Sequence, residues 1–187
     1  MKILWIARTC PYPPDDGEKL RVFNLIRNLA HHDITLVCRV MNDKELAGIP
    51  VLEKYCHKVR YACIPSPKSN FTRLRWCLPF IFSRYPISLA TVFFKEIAGI
   101  LRKLLAEEAY DIIQIEHSSL TVYLDQLESA ERLPKLLTLQ NIDSIRNERL
   151  LYNMQWGIGK LFLAFNQLRF RNWEKTSIER YDYVLAV

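Results

Sequence analysis

A loop rich in proline and acidic residues carries the residue types in this chain best suited to binding a ligand: Pro11-Tyr12-Pro13-Pro14-Asp15-Asp16-Gly17-Glu18. Gly17 has no side chain, so a ligand can approach the backbone at this point. The amphipathic helix predicted to follow begins with N–H groups that lack partners and carry partial positive charge, which suits a phosphate group. The alternative is a loop stiffened by proline, in which Gly17 is only the turn residue and Asp16 caps the helix.

A second candidate, His117, comes directly after the fourth apolar segment of the chain. Ligands collect beyond the carboxyl ends of parallel strands, and histidine titrates near neutrality, which suits hydrogen bonding or proton transfer. Neighbouring side chains of a strand point to opposite faces, so only one of Glu116 and His117 is expected to face a ligand, and we favour His117. The alternative is a histidine with a purely structural role.

A third polar group follows the fifth apolar segment and consists of Asn141, Asp143, Arg146 and Arg149. Asp143 suits the N-cap of a helix that starts at Ser144. The two arginines are three positions apart and so share one helical face. Such a pair either binds a phosphate or carboxylate or is simply solvated, and the sequence leaves both interpretations open.

The segment from Phe71 to Tyr85 mixes aromatic and aliphatic residues with three arginines and contains no acidic residue. This composition is typical of a segment that lies in the interface of an anionic membrane. The residues predicted to contact the membrane are Arg73, Arg75, Trp76, Phe80 and Arg84. The alternative is a helix that packs on the sheet and directs its arginines outward.

These candidates are positioned by a regular alternation of strand-like and helical segments. Strands are predicted at 2–7, 34–40, 58–64, 111–115, 135–139 and 183–187, and helices at 18–30, 89–108, 119–127, 144–152 and 159–180. Several strands are continuous apolar runs, which indicates burial on both faces and therefore a parallel sheet covered by helices. The sequence predicts an α/β fold, a doubly wound Rossmann-like parallel sheet in a single domain, with Gly17, His117 and Asn141 along one rim.

The composition narrows the partners and the compartment. The 187 residues carry a formal net charge of +6, which favours an anionic partner such as an acidic lipid or a phosphorylated ligand. Nucleic acid is disfavoured because no nucleic-acid-binding motif is present and the basic residues are dispersed. The five cysteines form no C-x-x-C pair, and no targeting segment is found, so we expect a cytoplasmic protein that can associate with a membrane surface.

Four segments, in this order, resemble the amino-terminal domain of GT-B glycosyltransferases, and more narrowly the retaining family-four type that uses nucleotide-sugar donors. They are the loop from Pro11 to Arg21, Asp111-Ile112-Ile113-Gln114-Ile115-Glu116-His117, Thr138-Leu139-Gln140-Asn141-Ile142-Asp143, and the closing Arg180-Tyr181-Asp182-Tyr183-Val184-Leu185-Ala186-Val187. The family often has histidine where Gln140 stands.

The resemblance implies transfer of a sugar from a nucleotide-sugar to a glycan or lipid-linked acceptor, without a metal or other cofactor. Its implied donor-phosphate loop is Gly17, Glu18 and Arg21, its catalytic residue is His117, and its acceptor cleft is Asn141, Asp143, Arg146 and Arg149. It also implies that residues 1–187 are the acceptor-side domain, that a carboxyl-terminal donor-binding domain lies outside the chain, and that the chain alone is inactive.

Two alternatives remain: a non-catalytic Rossmann-like binding module, and one chain of a split glycosyltransferase. A nucleotide-binding protein of another kind is disfavoured, because the first turn lacks G-x-G-x-x-G and the chain has no phosphate-loop lysine motif.

Overall fold

The computed structural model describes residues 1–67, 69–127, 132–139 and 143–186. Its six strands form one parallel sheet in the order β3-β2-β1-β4-β5-β6. The strands are β1 (Lys2–Ile6), β2 (Asp33–Val40), β3 (Lys58–Cys63), β4 (Ile112–Glu116), β5 (Lys135–Leu139) and β6 (Tyr183–Ala186). The predicted Rossmann-like α/β fold is therefore confirmed, and the strand bounds differ from the prediction by about one residue.

Helices cover both faces of the sheet. The α-helices are α1 (Gly17–Asn28), α2 (Asp43–Leu52), α3 (Asn70–Ile81), α4 (Lys95–Glu107), α5 (Asp143–Asn153) and α6 (Ile158–Ile178), and two 3₁₀ helices span Ile87–Thr91 and Ser118–Gln126. On one face, Ile3 and Trp5 pack with residues of α1 and α2. On the other face, Leu4 and Ile6 pack with residues of α4 and α6. This alternation explains why the strand sequences are apolar throughout.

The helix predicted over 89–108 is wrong in its first part. A 3₁₀ helix ends at Thr91, Phe94 is extended, and α4 begins only at Lys95. The hydroxyl of Tyr123 accepts a hydrogen bond from Phe94 N at 3.1 Å and donates one to Val92 O at 2.7 Å. It therefore satisfies backbone groups that the break leaves without helical partners, and β-branched and aromatic residues at the break are poor helix formers.

The segment 119–127, predicted to be helical, is a 3₁₀ helix rather than an α-helix, and α2 was not predicted at all. Helix α2 contains Gly48 and Pro50, both of which weaken a helical pattern in the sequence. Its N-terminus is nevertheless well defined, because the side chain of Asn42 accepts a hydrogen bond from Glu45 N at 3.0 Å.

The strand order reverses between β1 and β4, where Ile6 pairs with Ile115. The chain leaves β1 towards β2 and β3 and returns to place β4 on the other side of β1. Beyond the carboxyl ends of two such strands their loops diverge and leave a crevice, which is the usual position of ligands in open α/β sheets. The Gly17 loop follows β1 and His117 follows β4, so the fold brings these two predicted sites to the same crevice.

Candidate functional site

The loop after β1 is anchored by a buried ion pair between α1 and α2. The Nζ atom of Lys19 lies 2.8 Å from Asp15 Oδ1 and 3.0 Å from Glu45 Oε1. Burial lowers the pKa of Lys19, but hydrogen bonds to Asp15 and Glu45 outweigh it and raise the pKa overall. Glu45 is itself buried and accepts a hydrogen bond from Met41 N at 2.7 Å. We call Lys19, Asp15 and Glu45 the anchor cluster.

Close packing adds to this anchor. A methyl group at Gly48 of α2 would lie 2.7 Å from Tyr12 Cδ1 and 3.0 Å from the Tyr12 carbonyl oxygen. Only glycine lets the loop approach α2 this closely. The ring of Tyr12 also packs edge-on against Phe23, with ring centroids 5.3 Å apart. The loop is therefore held in one position over the crevice.

The start of α1 agrees with the interpretation in which Asp16 caps the helix. Asp16 is the N-cap of α1, and its Oδ1 accepts a hydrogen bond from Lys19 N at 2.8 Å. Apart from its chain neighbours and the backbone of α1 itself, no described atom would lie within 4 Å of a methyl group at Gly17. The capping role of Asp16 is thus confirmed, and the space beside Gly17 is open.

Arg21 of α1 and Glu116 at the end of β4 attract each other electrostatically, although no ion pair joins them among the described residues. Glu116 is buried, and Gln114 Nε2 donates hydrogen bonds to Glu116 Oε1 at 3.1 Å and to Thr138 Oγ1 at 2.6 Å. Burial raises the pKa of Glu116 and Glu18 adds to the rise, whereas the hydrogen bond from Gln114, the attraction of Arg21 and a weaker contact with the Thr138 hydroxyl lower it in part.

This pair is incompletely satisfied. Among the described residues, neither Arg21 Nη1 nor Glu116 Oε2 has a hydrogen-bond partner, although both atoms are buried. Glu45 Oε1 also lacks a hydrogen bond of good geometry, but it lies 3.0 Å from the charged Nζ of Lys19. Buried polar atoms without partners are uncommon in folded proteins and cost about 1–3 kcal/mol each. We call Arg21 and Glu116 the open pair. The open pair is the strongest indication of a ligand site at the crevice.

The prediction that His117 rather than Glu116 faces this crevice assumed that strand alternation continues through His117, and that assumption is wrong. Strand β4 ends at Glu116, and His117 has φ of 113°, so strand alternation does not extend to it. The ring Nδ1 of His117 is 2.9 Å from Ser119 Oγ and accepts a hydrogen bond from Ser119 N at 3.3 Å. His117 is only 5% exposed, and its side chain caps the 3₁₀ helix that begins at Ser118. This is the structural role that the sequence left open as the alternative.

The third predicted group is described only in part. Asn141 lies outside the described residues, as do the side chains of Asp143 and Arg146, while Arg149 is exposed on α5. Helix α5 begins at Asp143, one residue before the predicted start.

A residue that the sequence did not single out connects the loops after β4 and β5. Glu174 of α6 is buried, its Oε1 accepts from Ser118 Oγ at 2.7 Å, and its Oε2 accepts from Ser144 N at 3.1 Å. A carboxylate at the start of α5 also suits the positive end of the helix dipole. In the sequence Glu174 appears only as one acid within a long helical pattern, so nothing indicates these distant partners.

The segment predicted to contact a membrane forms α3, and two of its named residues face the protein. Phe80 is buried, and Trp76 is half-buried with its ring against Phe94 at a centroid distance of 5.4 Å. The membrane role predicted for Phe80 is therefore wrong, and that of Trp76 is weakened. Arg84 is exposed and lies against the ring of Tyr85 and 3.8 Å from Asp125 Oδ2.

The exposed apolar residues of this segment are different ones: Phe71, Leu74, Leu78 and Phe82. Their spacing of three or four residues places them along one face of α3. Arg73 and Arg75 are exposed on the same helix. In the described part of the chain, no helix has both the length and the apolarity needed to cross a bilayer.

No protein-family model matches this chain, and no curated protein matches it significantly. Among solved structures, it is similar to the C-terminal domain of a hydrogenase from Pyrococcus furiosus, at 15% sequence identity and a TM-score of 0.44. That similarity covers 73% of this chain and 89% of the hydrogenase domain. A likeness of this size supports no inference about function.

Proposed function

We propose that the chain is the acceptor-side half of a GT-B glycosyltransferase, which transfers a sugar from a nucleotide-sugar to a glycan or lipid-linked acceptor. Two observations support the proposal. Four sequence segments resemble that family in the same order along the chain. The strand order of the parallel sheet reverses between β1 and β4, which precede the Gly17 loop and His117. Most of the donor affinity is assigned to a second domain outside this chain, so the chain alone binds nucleotide-sugars weakly.

The observation that carries the proposal is the open pair beside Gly17. A phosphate or sugar oxygen accepts a hydrogen bond from Arg21, and a sugar hydroxyl donates one to Glu116. Arg21 as a whole is half-buried, so part of its side chain is open to solvent although Nη1 is buried. A polyhydroxylated, phosphorylated ligand therefore supplies both missing partners.

In this proposal the rigid loop and the open pair orient the reacting groups. The bond from the sugar anomeric carbon to the nucleoside diphosphate breaks, and a bond to an acceptor hydroxyl oxygen forms, with retention at that carbon. The proton of that hydroxyl passes to the departing diphosphate. Charge accumulates on the departing diphosphate, where the start of α1 and Arg21 stabilise it. Glu18 does not add to this effect, because its carboxylate pairs with Arg8.

A titration followed by ¹H–¹⁵N NMR tests the proposal with UDP-, GDP- and ADP-linked sugars at millimolar concentration. We expect at least one donor to shift the amide signals of Gly17, Arg21 and Glu116, with a weaker response in Arg21→Ala. Arg27→Ala is the matched control, because Arg27 is exposed near the end of the same helix. Absence of shifts at these residues with every donor, or shifts confined to other surfaces, would overturn the proposal.

A lipid-linked acceptor requires contact with a membrane, and we propose that α3 provides it through Phe71, Leu74, Leu78 and Phe82. Apolar side chains enter the interface while nearby arginines meet anionic headgroups. Sedimentation with anionic vesicles tests this contact. We expect Leu74→Ser to reduce the bound fraction and Leu46→Ser, which removes an exposed leucine from α2, to leave it unchanged. Equal binding of the two variants would contradict this part of the proposal.

A non-catalytic binding module is the second candidate. The observation that favours it is His117, since the histidine expected to act on the substrate is buried and caps a helix. The titration separates it from the first candidate, because a module for unrelated ligands gives no response to nucleotide-sugars at Gly17.

A further inference from the structure

A cavity of about 520 Å³ lies over the carboxyl ends of β1, β2 and β3, whereas Glu116 of the open pair ends β4, which is on the opposite side of β1 from β2. Three arginines line it: Arg8 after β1, Arg39 of β2 and Arg73 of α3. None of the described residues that line it is acidic. Its volume is that of a site for a small organic molecule rather than for a bare ion.

Arg39 is the residue that distinguishes this cavity from an ordinary basic surface. Arg39 is only 8% exposed. Its guanidinium donates hydrogen bonds to Ile64 O at 2.7 Å, to Pro65 O at 3.0 Å and, more weakly, to Thr91 O at 3.4 Å. Among the described residues, no carboxylate lies within ion-pair distance of it. A buried charge that is hydrogen-bonded to carbonyl oxygens but has no carboxylate in contact keeps part of its electrostatic cost.

Aromatic rings complete the surroundings of Arg39. The guanidinium carbon lies 4.7 Å from the ring centroid of Phe94 and 5.7 Å from that of Trp76. These contacts fix its orientation and exclude water, which strengthens its attraction for an anion in the cavity. Burial also lowers the pKa of Arg39, and the attraction of Glu45 and Tyr123 offsets this only in part.

The other two arginines bring further charge to the same cavity. Arg8 is partly exposed and pairs with Glu18, so one of the three positive charges is offset and the cavity keeps a net positive charge. Arg73 is exposed at the mouth, and within the described chain no acid pairs with it. Thr9 and Ser66 add hydroxyl groups to the lining.

We infer that this cavity is a second anion-binding site, which takes a phosphate or carboxylate group carried by a small organic molecule. The anionic group lies between Arg39 and Arg73, and the remainder of the molecule contacts the half-buried ring of Trp76. This inference does not rest on the proposed glycosyltransferase function, because it concerns a different set of residues and requires no reaction.

Calorimetry with phenyl phosphate and citrate at low ionic strength tests the inference. We expect saturable binding of at least one probe to the chain and an affinity about tenfold lower in Arg73→Ala, the loss typical of a charge-assisted hydrogen bond. Arg75→Ala is the matched control, because Arg75 lies on the same exposed helix but outside this cavity. Arg39→Lys keeps the charge and removes the planar fork, so we expect weaker binding from this variant also.

A parallel measurement distinguishes a lipid headgroup from a free molecule as the source of the anion. It compares how strongly the variants bind phosphatidylcholine vesicles that contain phosphatidic acid. If the site receives a lipid headgroup, Arg73→Ala loses more vesicle binding than Arg75→Ala. If it receives a free molecule, the two variants lose vesicle binding equally while only Arg73→Ala loses phenyl phosphate. Absence of saturable binding by both soluble probes, or equal loss of probe affinity in Arg73→Ala and Arg75→Ala, would overturn the inference. Arg73 is exposed, so its variant tests the inference even if Arg39→Lys fails to fold.

Discussion

Two groups of charged residues extend from α1, and they differ in whether opposite charges are in contact: Lys19 Nζ lies 3.0 Å from Glu45 Oε1, whereas no ion pair joins Arg21 to Glu116 among the described residues. In the anchor cluster, Lys19 is close to both Glu45 and Asp15, and Glu45 also accepts a backbone N–H. In the open pair, two positions further along α1, Arg21 Nη1 and Glu116 Oε2 have no partner among the described residues. The contact between opposite charges lets the first group hold the loop, whereas the second is the group that the proposed function assigns to a ligand.

The largest expected effect is the loss of the anchor cluster in Glu45→Ala. This change leaves Lys19 buried beside a single, exposed carboxylate, so we expect the free energy of unfolding to fall by about 3–5 kcal/mol. Urea denaturation measures the loss. Glu45→Gln keeps an acceptor for Met41 N and is expected to lose less. A change in Glu45→Ala within about 0.5 kcal/mol, as for a surface residue, would show that the anchor cluster does not hold the loop.

The next effect concerns the packing of the loop against α2. Gly48→Ala places a methyl group 2.7 Å from Tyr12 Cδ1 and 3.0 Å from Tyr12 O, so we expect a destabilisation of about 1–3 kcal/mol. Gly99→Ala on α4 is the control, because its methyl group meets no atom within 4 Å. There the helix propensity of alanine predicts a stabilisation of up to about 1 kcal/mol. Thermal denaturation that showed equal shifts for both variants would contradict the close approach of loop and helix.

A smaller effect is the pH dependence of the free energy of unfolding that Glu116 of the open pair causes. The folded-state pKa of Glu116 is raised above its ordinary value of 4.5, so its contribution to stability is present below pH 4.5 and is lost as pH rises towards neutrality. Each unit of that rise corresponds to about 1.4 kcal/mol. We therefore expect Glu116→Gln to become more stable relative to the unmodified chain as pH increases through this window, in urea denaturation at several pH values. A constant difference across the window would contradict the raised pKa.

The smallest expected effect on folding is that of Arg21→Ala. No described hydrogen bond depends on Arg21 Nη1, so we expect the free energy of unfolding to change by less than about 1 kcal/mol. Lys19→Ala is the comparison, since it leaves Glu45 buried without its cation and is expected to cost several times more. Equal losses in the two variants, measured by urea denaturation, would remove the distinction between the anchor cluster and the open pair.

The strands and their arrangement were predictable because burial on both faces makes a parallel strand apolar throughout, and such runs are visible in the sequence. Asp16 was predictable as a cap because its hydrogen bond is made within one turn. Glu45 and Glu174 were not, because their partners lie 26 and 30 or more positions away and are joined to them only by folding.

The errors at the candidate site have similar causes. The choice of His117 over Glu116 assumed that strand geometry continues past the last paired residue, whereas the positive φ of His117 ends it. In α3, the composition suggested an interfacial segment, but only the packing against Phe94 shows that Trp76 faces inward. The glycosyltransferase activity, the nucleotide-sugar and the acceptor stay predictions.

A crystal structure of the chain with a nucleotide-sugar tests the central claim most directly, namely that the open pair beside Gly17 binds a ligand. The account predicts a ligand oxygen within hydrogen-bond distance of Arg21 Nη1 and a ligand hydroxyl that donates to Glu116 Oε2, with the anchor cluster unchanged. A ligand bound elsewhere, or Arg21 and Glu116 satisfied by protein groups alone, would contradict it.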